Sequence, residues 1–217
     1  MFEVLLQQHT LLLKGFSTTL LLLGAVMVIG VPLGIFAGVI GGRYSDGFGK
    51  IIEVLKFVTK IVPVLVLLFW LHFPLQALLG IVIDPFVTTV IALGFVNTVA
   101  VAYIVKSDLL LLPKTYRESA LTLGMSTWHV IRYIELPIMT RRTLPEILHA
   151  QTLMLEYTLF ASLISVQELF RVSQSINSMI YDPISVYSLL VLFFVLILAP
   201  IHLLIGFLKK KYSMIYV

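Results

Sequence analysis

Long apolar runs alternate with short polar intervals along this chain, and five of the runs are long enough to cross a hydrocarbon core about 30 Å thick as helices. They cover about residues 16–40, 54–71, 85–105, 145–165 and 186–208. The opening stretch, residues 1–14 (MFEVLLQQHTLLLK), is apolar but too short to span, which predicts a separate interfacial helix. In the first span Gly30, Gly34 and Gly38 recur at every fourth position, a spacing that lets another helix approach closely. Gly41 to Lys50 has turn composition, and the second span carries Pro63 inside it. Between the last two spans Leu169, Val172, Ile176 and Met179 have amphipathic spacing, predicting a helix at the membrane surface that Asp182-Pro183 ends.

The longest polar interval is Pro113 to Pro137, and it reads as two short helices joined at a glycine. Pro113 can open the first helix, and Thr115-x-x-Glu118 has the spacing of a capping box. Gly124 suits a left-handed stop, and Ser126 can cap a second helix. Trp128, Ile131 and Ile134 follow at helical spacing, and Pro137 is expected to end that helix. The fourth span then starts afresh, with Thr143 as cap and Pro145 at its first helical position.

Composition points to a bilayer. Of 217 residues 59% are hydrophobic and 12% charged, and the mean hydropathy is +1.05. This predicts one all-α integral membrane domain over residues 1–217. A pI near 9.3 raises nucleic acid as a partner, but the cations are scattered between spans, so topology explains them better. There are no cysteines, and the five histidines show no ligand-like clustering, so neither a metal nor a cofactor is expected. Met1 to Lys14 has no basic start and no small-residue cleavage site, so it does not read as a cleaved signal. No G-x-x-x-x-G-K-[ST] occurs, so any nucleotide chemistry would belong to another subunit.

Glu156 carries the most information about a solute path. Counted from Pro145, it lies about 16 Å along the fourth span, near the middle of the hydrocarbon. A carboxylate at that depth needs a partner or a wet cavity. At 100° per residue, His149, Thr152 and Glu156 share one face, while Gln151, Thr158, Ser162 and Ser165 share the opposite one. One stripe is expected to line a translocation path and the other to pack on a neighbouring helix. Asn97 and Thr98 are the corresponding polar positions of the third span, Asn97 either lining the path or bonding another helix.

Glu118-Ser119-Ala120, Gly124 and Ile134-x-Leu136-Pro137 together resemble the E-A-A-x3-G-x9-I-x-L-P loop of ATP-binding-cassette importer permeases, with Ser119 for Ala as the one departure. Thr158 to Leu169 (TLFASLISVQEL) resembles the T-S-L-A-S-V-I-G-V-x-E-L run of the polar amino acid permease family. Lys60 to Phe69 resembles R-G-T-P-L-L-V-Q-L-F of that family, with Lys60 for Arg and Leu67 for Gln. Asn97-Thr98 resembles its N-T pair, although Tyr103 stands where the family's A-E-I-x-R has an acid.

The resemblance implies a type I ABC importer permease fold with five transmembrane helices and a cytoplasmic coupling helix between the third and fourth. It implies that the loop engages an ATPase through Glu118. It also implies two copies of a cytoplasmic ABC ATPase, a second permease subunit in a homo- or heterodimer, and an extracytoplasmic solute-binding protein. The cargo would be an amino acid. The family has Lys-Asp before the Thr-Ser-Leu run where this chain has Glu156-Tyr157. That inverted charge shifts the expected cargo towards a cationic or otherwise polar amino acid. The same machine with another small solute, or a proton-coupled secondary transporter using Glu156, are the alternatives.

Charge sets an expected orientation independently of the resemblance. With the coupling loop in the cytoplasm, thirteen of fifteen Lys and Arg residues lie on that side, leaving only Lys14 and Arg171 outside. The expectation is a bacterial inner-membrane protein with an external N-terminus and a cytoplasmic C-terminus.

Overall fold

The computed structural model describes the backbone of residues 2–213 and the side chains of residues 8–212; Met1 and residues 214–217 of the expected domain lie outside them. The described residues are helical with short connections. α1 covers Phe2–Arg43, α2 Phe48–Ile61, α3 Val64–His72, α4 Pro74–Leu79 and α5 Pro85–Leu110. α6 covers Lys114–Thr122 and α7 Thr127–Val130. A π-helical turn, Ile131–Glu135, leads into α8, Leu136–Thr158, and a 3₁₀ segment follows at Leu159–Ile164. α9 is Leu169–Ile180 and α10 Pro183–Ser213.

Among the described residues four helical stretches are long and apolar enough to cross a membrane, and the bent pair Phe48–Ile61 and Val64–Leu79 makes a fifth if it counts as one span. Four to five candidate spans thus accommodate the five expected, and the joints between them differ from expectation. The separate interfacial helix over residues 1–14 does not exist, because α1 runs unbroken past Lys14 and Gly15. No breaker occurs there, and Gly15 instead admits α9: a Cβ at Gly15 would lie 2.9 Å from Val172 Cγ2. The second span is not straight. It turns by 93° between α2 and α3, where Pro63 has no N–H to continue the helix and holds Val62 extended (ψ 116°).

The third span begins at Pro85, as expected; Asp84 Oδ1 accepts from Phe86 N–H at 2.8 Å, and Pro85 takes the first helical position. Pro137 ends nothing and Thr143 caps nothing, contrary to expectation. The π turn bonds Leu136 N–H to the Ile131 carbonyl, a wider turn that makes room for a proline ring one residue later. Thr143 Oγ1 donates to the Met139 carbonyl at 2.9 Å, and Pro145 lies inside α8. In α9, Leu169, Val172 and Ile176 are buried as predicted, but Met179 is 64% exposed.

The core is organised around the seam between α1 and α5. A Cβ built on Gly34 would lie 2.6 Å from Val101 Cβ and 2.9 Å from the Thr98 carbonyl; on Gly38 it would lie 2.7 Å from the Ala102 carbonyl. Gly34 and Gly38 therefore bring α1 against the backbone of α5, the close approach their spacing predicts, while Gly30 makes room for the Asn97 side chain. Beside this seam Lys106, 2% exposed, donates to the Gly49 carbonyl at 2.8 Å and pairs with Glu53. This ties α2 to α5.

Candidate functional site

The polar interval folds as an exposed hairpin. α6 closes with a Schellman motif: Gly124 N–H donates to the Leu121 carbonyl at 3.0 Å and Met125 N–H to the Ala120 carbonyl at 3.1 Å. Gly124 has φ +80°, the left-handed conformation its sequence position predicts. Ser126 caps α7, its Oγ accepting from His129 N–H at 3.4 Å. The capping box does not form. α6 begins at Lys114, so Thr115 is already helical, and Pro113 takes the cap position with no side-chain bond. Glu118 is therefore left without that capping duty and is exposed together with Ser119, while Ala120 is buried.

The hairpin's outer surface is unusually apolar for a polar interval. Leu123 is 84% and Trp128 68% exposed, and Tyr116 and Leu121 are exposed as well. Ile134 and Pro137 are half-buried and Leu136 exposed where the hairpin joins α8. Glu135 connects this joint to its neighbours. Its carboxylate lies 3.7 Å from Arg43 Nη2 at the end of α1 and 3.8 Å from Arg117 Nη1 on α6. These residues border a cavity of about 430 Å³ that Lys114 and Tyr116 also line. Glu135 thus stands between the end of α1, α6 and the π turn that leads into α8.

The five candidate path residues separate into inward and outward groups. Asn97 is fully buried and forms a reciprocal amide pair with Gln151. Asn97 Nδ2 donates to Gln151 Oε1 at 3.0 Å, and Gln151 Nε2 donates to Asn97 Oδ1 at 3.0 Å. Asn97 Nδ2 also lies 3.3 Å from the Val26 carbonyl, so this one side chain joins α1, α5 and α8. Thr158 is buried, donating to the Leu155 carbonyl at 2.6 Å. With Gln151 and Ser162 it makes a packed face, as one of the two polar stripes was expected to; Ser165 is exposed.

Thr152 shares the helical face of His149 and Glu156 but is buried, and its hydroxyl donates to the His149 carbonyl at 2.8 Å. His149 and Glu156 remain exposed on the surface of the single chain. His149 stands edge-on to His202 of α10, with ring centroids 6.1 Å apart. His202 was not legible as a neighbour, because only the packing of α10 on α8 brings these positions together. Glu135 was missed for another reason: it occupies the unspecified position of I-x-L-P.

Glu168 caps α9 at the far end of the fourth span. It is fully buried, accepting from Phe170 N–H at 2.8 Å and Arg171 N–H at 2.7 Å. Burial pushes its carboxyl up to about 7, against the lowering effect of those two bonds.

Comparison with known proteins agrees with this architecture. The chain is 28% identical to the glutamine transport system permease protein GlnP of Escherichia coli K12 over 207 residues, covering 93% of this chain and 92% of that protein. It is 28% identical to the E. coli K12 histidine/lysine/arginine/ornithine transport system permease protein HisQ, covering 79% and 80%. It is 26% identical to the probable amino-acid ABC transporter permease protein YckA of Bacillus subtilis 168, covering 97% and 93%. Among solved structures, an amino acid ABC transporter determined with histidines superposes with a TM-score of 0.84 at 22% identity, covering 97% of this chain and 98% of that one. The inward-facing MetNI methionine ABC transporter gives 0.62 at 19% identity, covering 93% and 97%. These neighbours carry the type I importer permease fold. The profile of the family described as binding-protein-dependent transport system inner membrane component matches residues 30–213, and the chain belongs to that family.

Proposed function

We propose that this chain is the membrane-spanning permease subunit of an ATP-binding-cassette importer for a polar, and by the sign of Glu156 a cationic, amino acid. The observation that carries this reading is the hairpin. The residues of the E-S-A-x3-G-x9-I-x-L-P pattern lie together at one projecting elbow, with Leu123 and Trp128 offered outward. An ATPase that seats this elbow in a groove would move α6, and the Glu135 hub would pass the motion to α1 and α8. Nucleotide hydrolysis would then alternate access to a path between the spans. Relatives named for glutamine and for histidine, lysine, arginine and ornithine support an amino acid cargo.

The assembled machine comprises this permease, a second permease subunit, two cytoplasmic ATPase copies and an extracytoplasmic binding protein. The hairpin faces the cytoplasm, with the N-terminus outside. Glu156 lies on a part of α8 that the single chain leaves exposed, where a second permease subunit would complete the path, and His149, also exposed, stands beside His202 of α10. The test is uptake of labelled arginine, glutamine and leucine into proteoliposomes holding the complete complex. ATP-dependent uptake of a polar amino acid, lost in Gly124→Val, is expected. Uptake that ignores ATP and follows an imposed proton gradient would sink the proposal.

A further inference from the structure

At the end of α5 remote from the hairpin, a polar cluster that neither the elbow nor the path uses joins α3, α4 and α5. Gln76 in α4 is 6% exposed. Its Oε1 accepts from Ile83 N–H at 2.7 Å, which fixes the direction of the amide and turns Nε2 towards its other neighbours. Nε2 donates to Thr88 Oγ1 at 3.1 Å and lies 3.3 Å from His72 Nδ1. Thr88 donates its own proton to the Asp84 carbonyl at 3.1 Å, and its oxygen lies 3.4 Å from His72 Nδ1. Gln76 thereby holds the non-helical residues 81–84 against the start of α5, although Val82 among them is 98% exposed.

The protons of this cluster can be accounted for in only one charge state of the ring. Each hydrogen on Gln76, Ile83 N and Thr88 has an acceptor when Nδ1 is bare and the neutral imidazole carries its proton on Nε2. Protonation puts a hydrogen on Nδ1, facing an amide nitrogen that itself carries two. Gln76 then loses an acceptor, and the ring keeps only the longer contact to Thr88. His72 is half-buried, so protons reach it, and imidazole is the side chain that ordinarily changes charge between pH 5 and 8. We infer that His72 is a proton-operated latch, fastening α4 and the loop after it to α5 while neutral and releasing them when protonated. The titratable groups around it are few. α4 has none, and α1 has none between Lys14 and Arg43. On the α5 side stands Asp84, whose carboxylate accepts from Phe86 and Val87 N–H. Beyond the 3₁₀ segment Glu168 caps α9. With the hairpin in the cytoplasm, as proposed above, the latch meets the outside medium, but its response to pH does not depend on that assignment.

The experiment measures amide exchange at Ile83 in the full-length permease in lipid nanodiscs, referred at each pH to the intrinsic rate. Protection at Ile83 is expected to fall on the order of tenfold from pH 8 to pH 5, the loss of one buried hydrogen bond, while protection at Val99 within α5 stays level. In His72→Asn the side chain keeps an acceptor near the position of Nδ1 but does not titrate, so protection at Ile83 should be the same at both pH values. Glu168→Gln should retain the fall, because Glu168 bonds α9 and not the cluster. Equal protection at the two pH values in the unaltered chain, or an equal fall at Val99, overturns the latch, and neither reading needs a variant that folds. A fall that persists in His72→Asn or vanishes in Glu168→Gln overturns it as well.

Discussion

Replacing Gly34 with Ala tests the seam on which α1 and α5 are aligned. The new Cβ would lie 2.6 Å from Val101 Cβ and 2.9 Å from the Thr98 carbonyl oxygen. Neither obstacle is the far end of a flexible side chain, so no rotamer change relieves the clash. Carbon–carbon contact is comfortable from about 3.5 Å, so the helices must separate locally by roughly 0.9 Å. Overpacking of this kind costs about 1–3 kcal/mol. Gly24→Ala is the matched control, since nothing lies within 4 Å of its added Cβ. Both changes alter helix propensity in the same way, so the difference between them isolates the clash. Unfolding of the purified permease in one lipid composition should place Gly34→Ala about 1–3 kcal/mol below Gly24→Ala. The same separation would draw Arg43, at the end of α1, away from Glu135, so coupled uptake should fall as well. Equal stabilities would refute the reading of this stripe as a backbone-to-backbone contact.

Three further outcomes are expected. Asn97→Leu should destabilise by about 1–3 kcal/mol by leaving the buried Gln151 amide unpaired, and a double-mutant cycle with Gln151→Leu should show a coupling of about 0.6–1.7 kcal/mol; a coupling of zero would remove the amide pair as a helix clamp. Glu168, raised from 4.5 to about 7, binds its proton more tightly folded than unfolded, so stability should grow as pH falls from about 7 towards 4.5 and be lost as pH rises through the folded value. The change is on the order of 2–3 kcal/mol, and Glu168→Gln, compared at pH 5.5 and 8, should flatten it; an unaltered pH dependence in the variant refutes the assignment. Glu156→Gln should raise the KM for a cationic amino acid by on the order of tenfold, with assembly intact and hairpin coupling unchanged; unchanged affinity and charge preference would end the role proposed for that carboxylate.

Local chemistry determined much of this protein from sequence alone. Five apolar stretches require a bilayer because nothing else solvates them. Gly124 and Ser126 act within a turn of their own positions, so the elbow could be read without knowing its neighbours. The spacing of Gly30, Gly34 and Gly38 identified a close-packing face, since helical periodicity alone aligns them. The expected capping box failed because Thr115-x-x-Glu118 has suitable spacing whichever residue begins the helix, and Pro113 decided the start. Prolines misled for a related reason. Pro137 and Pro145 look like boundaries, yet one π turn and the packing of α8 keep a single helix running through both. Only tertiary structure could pair Asn97 with Gln151, 54 positions apart, draw Arg43 and Arg117 onto Glu135, bury Thr152 and bring His202 to His149. Those partners come from different helices, whose rotations are set by what each buries against the others, and no single helix encodes that angle.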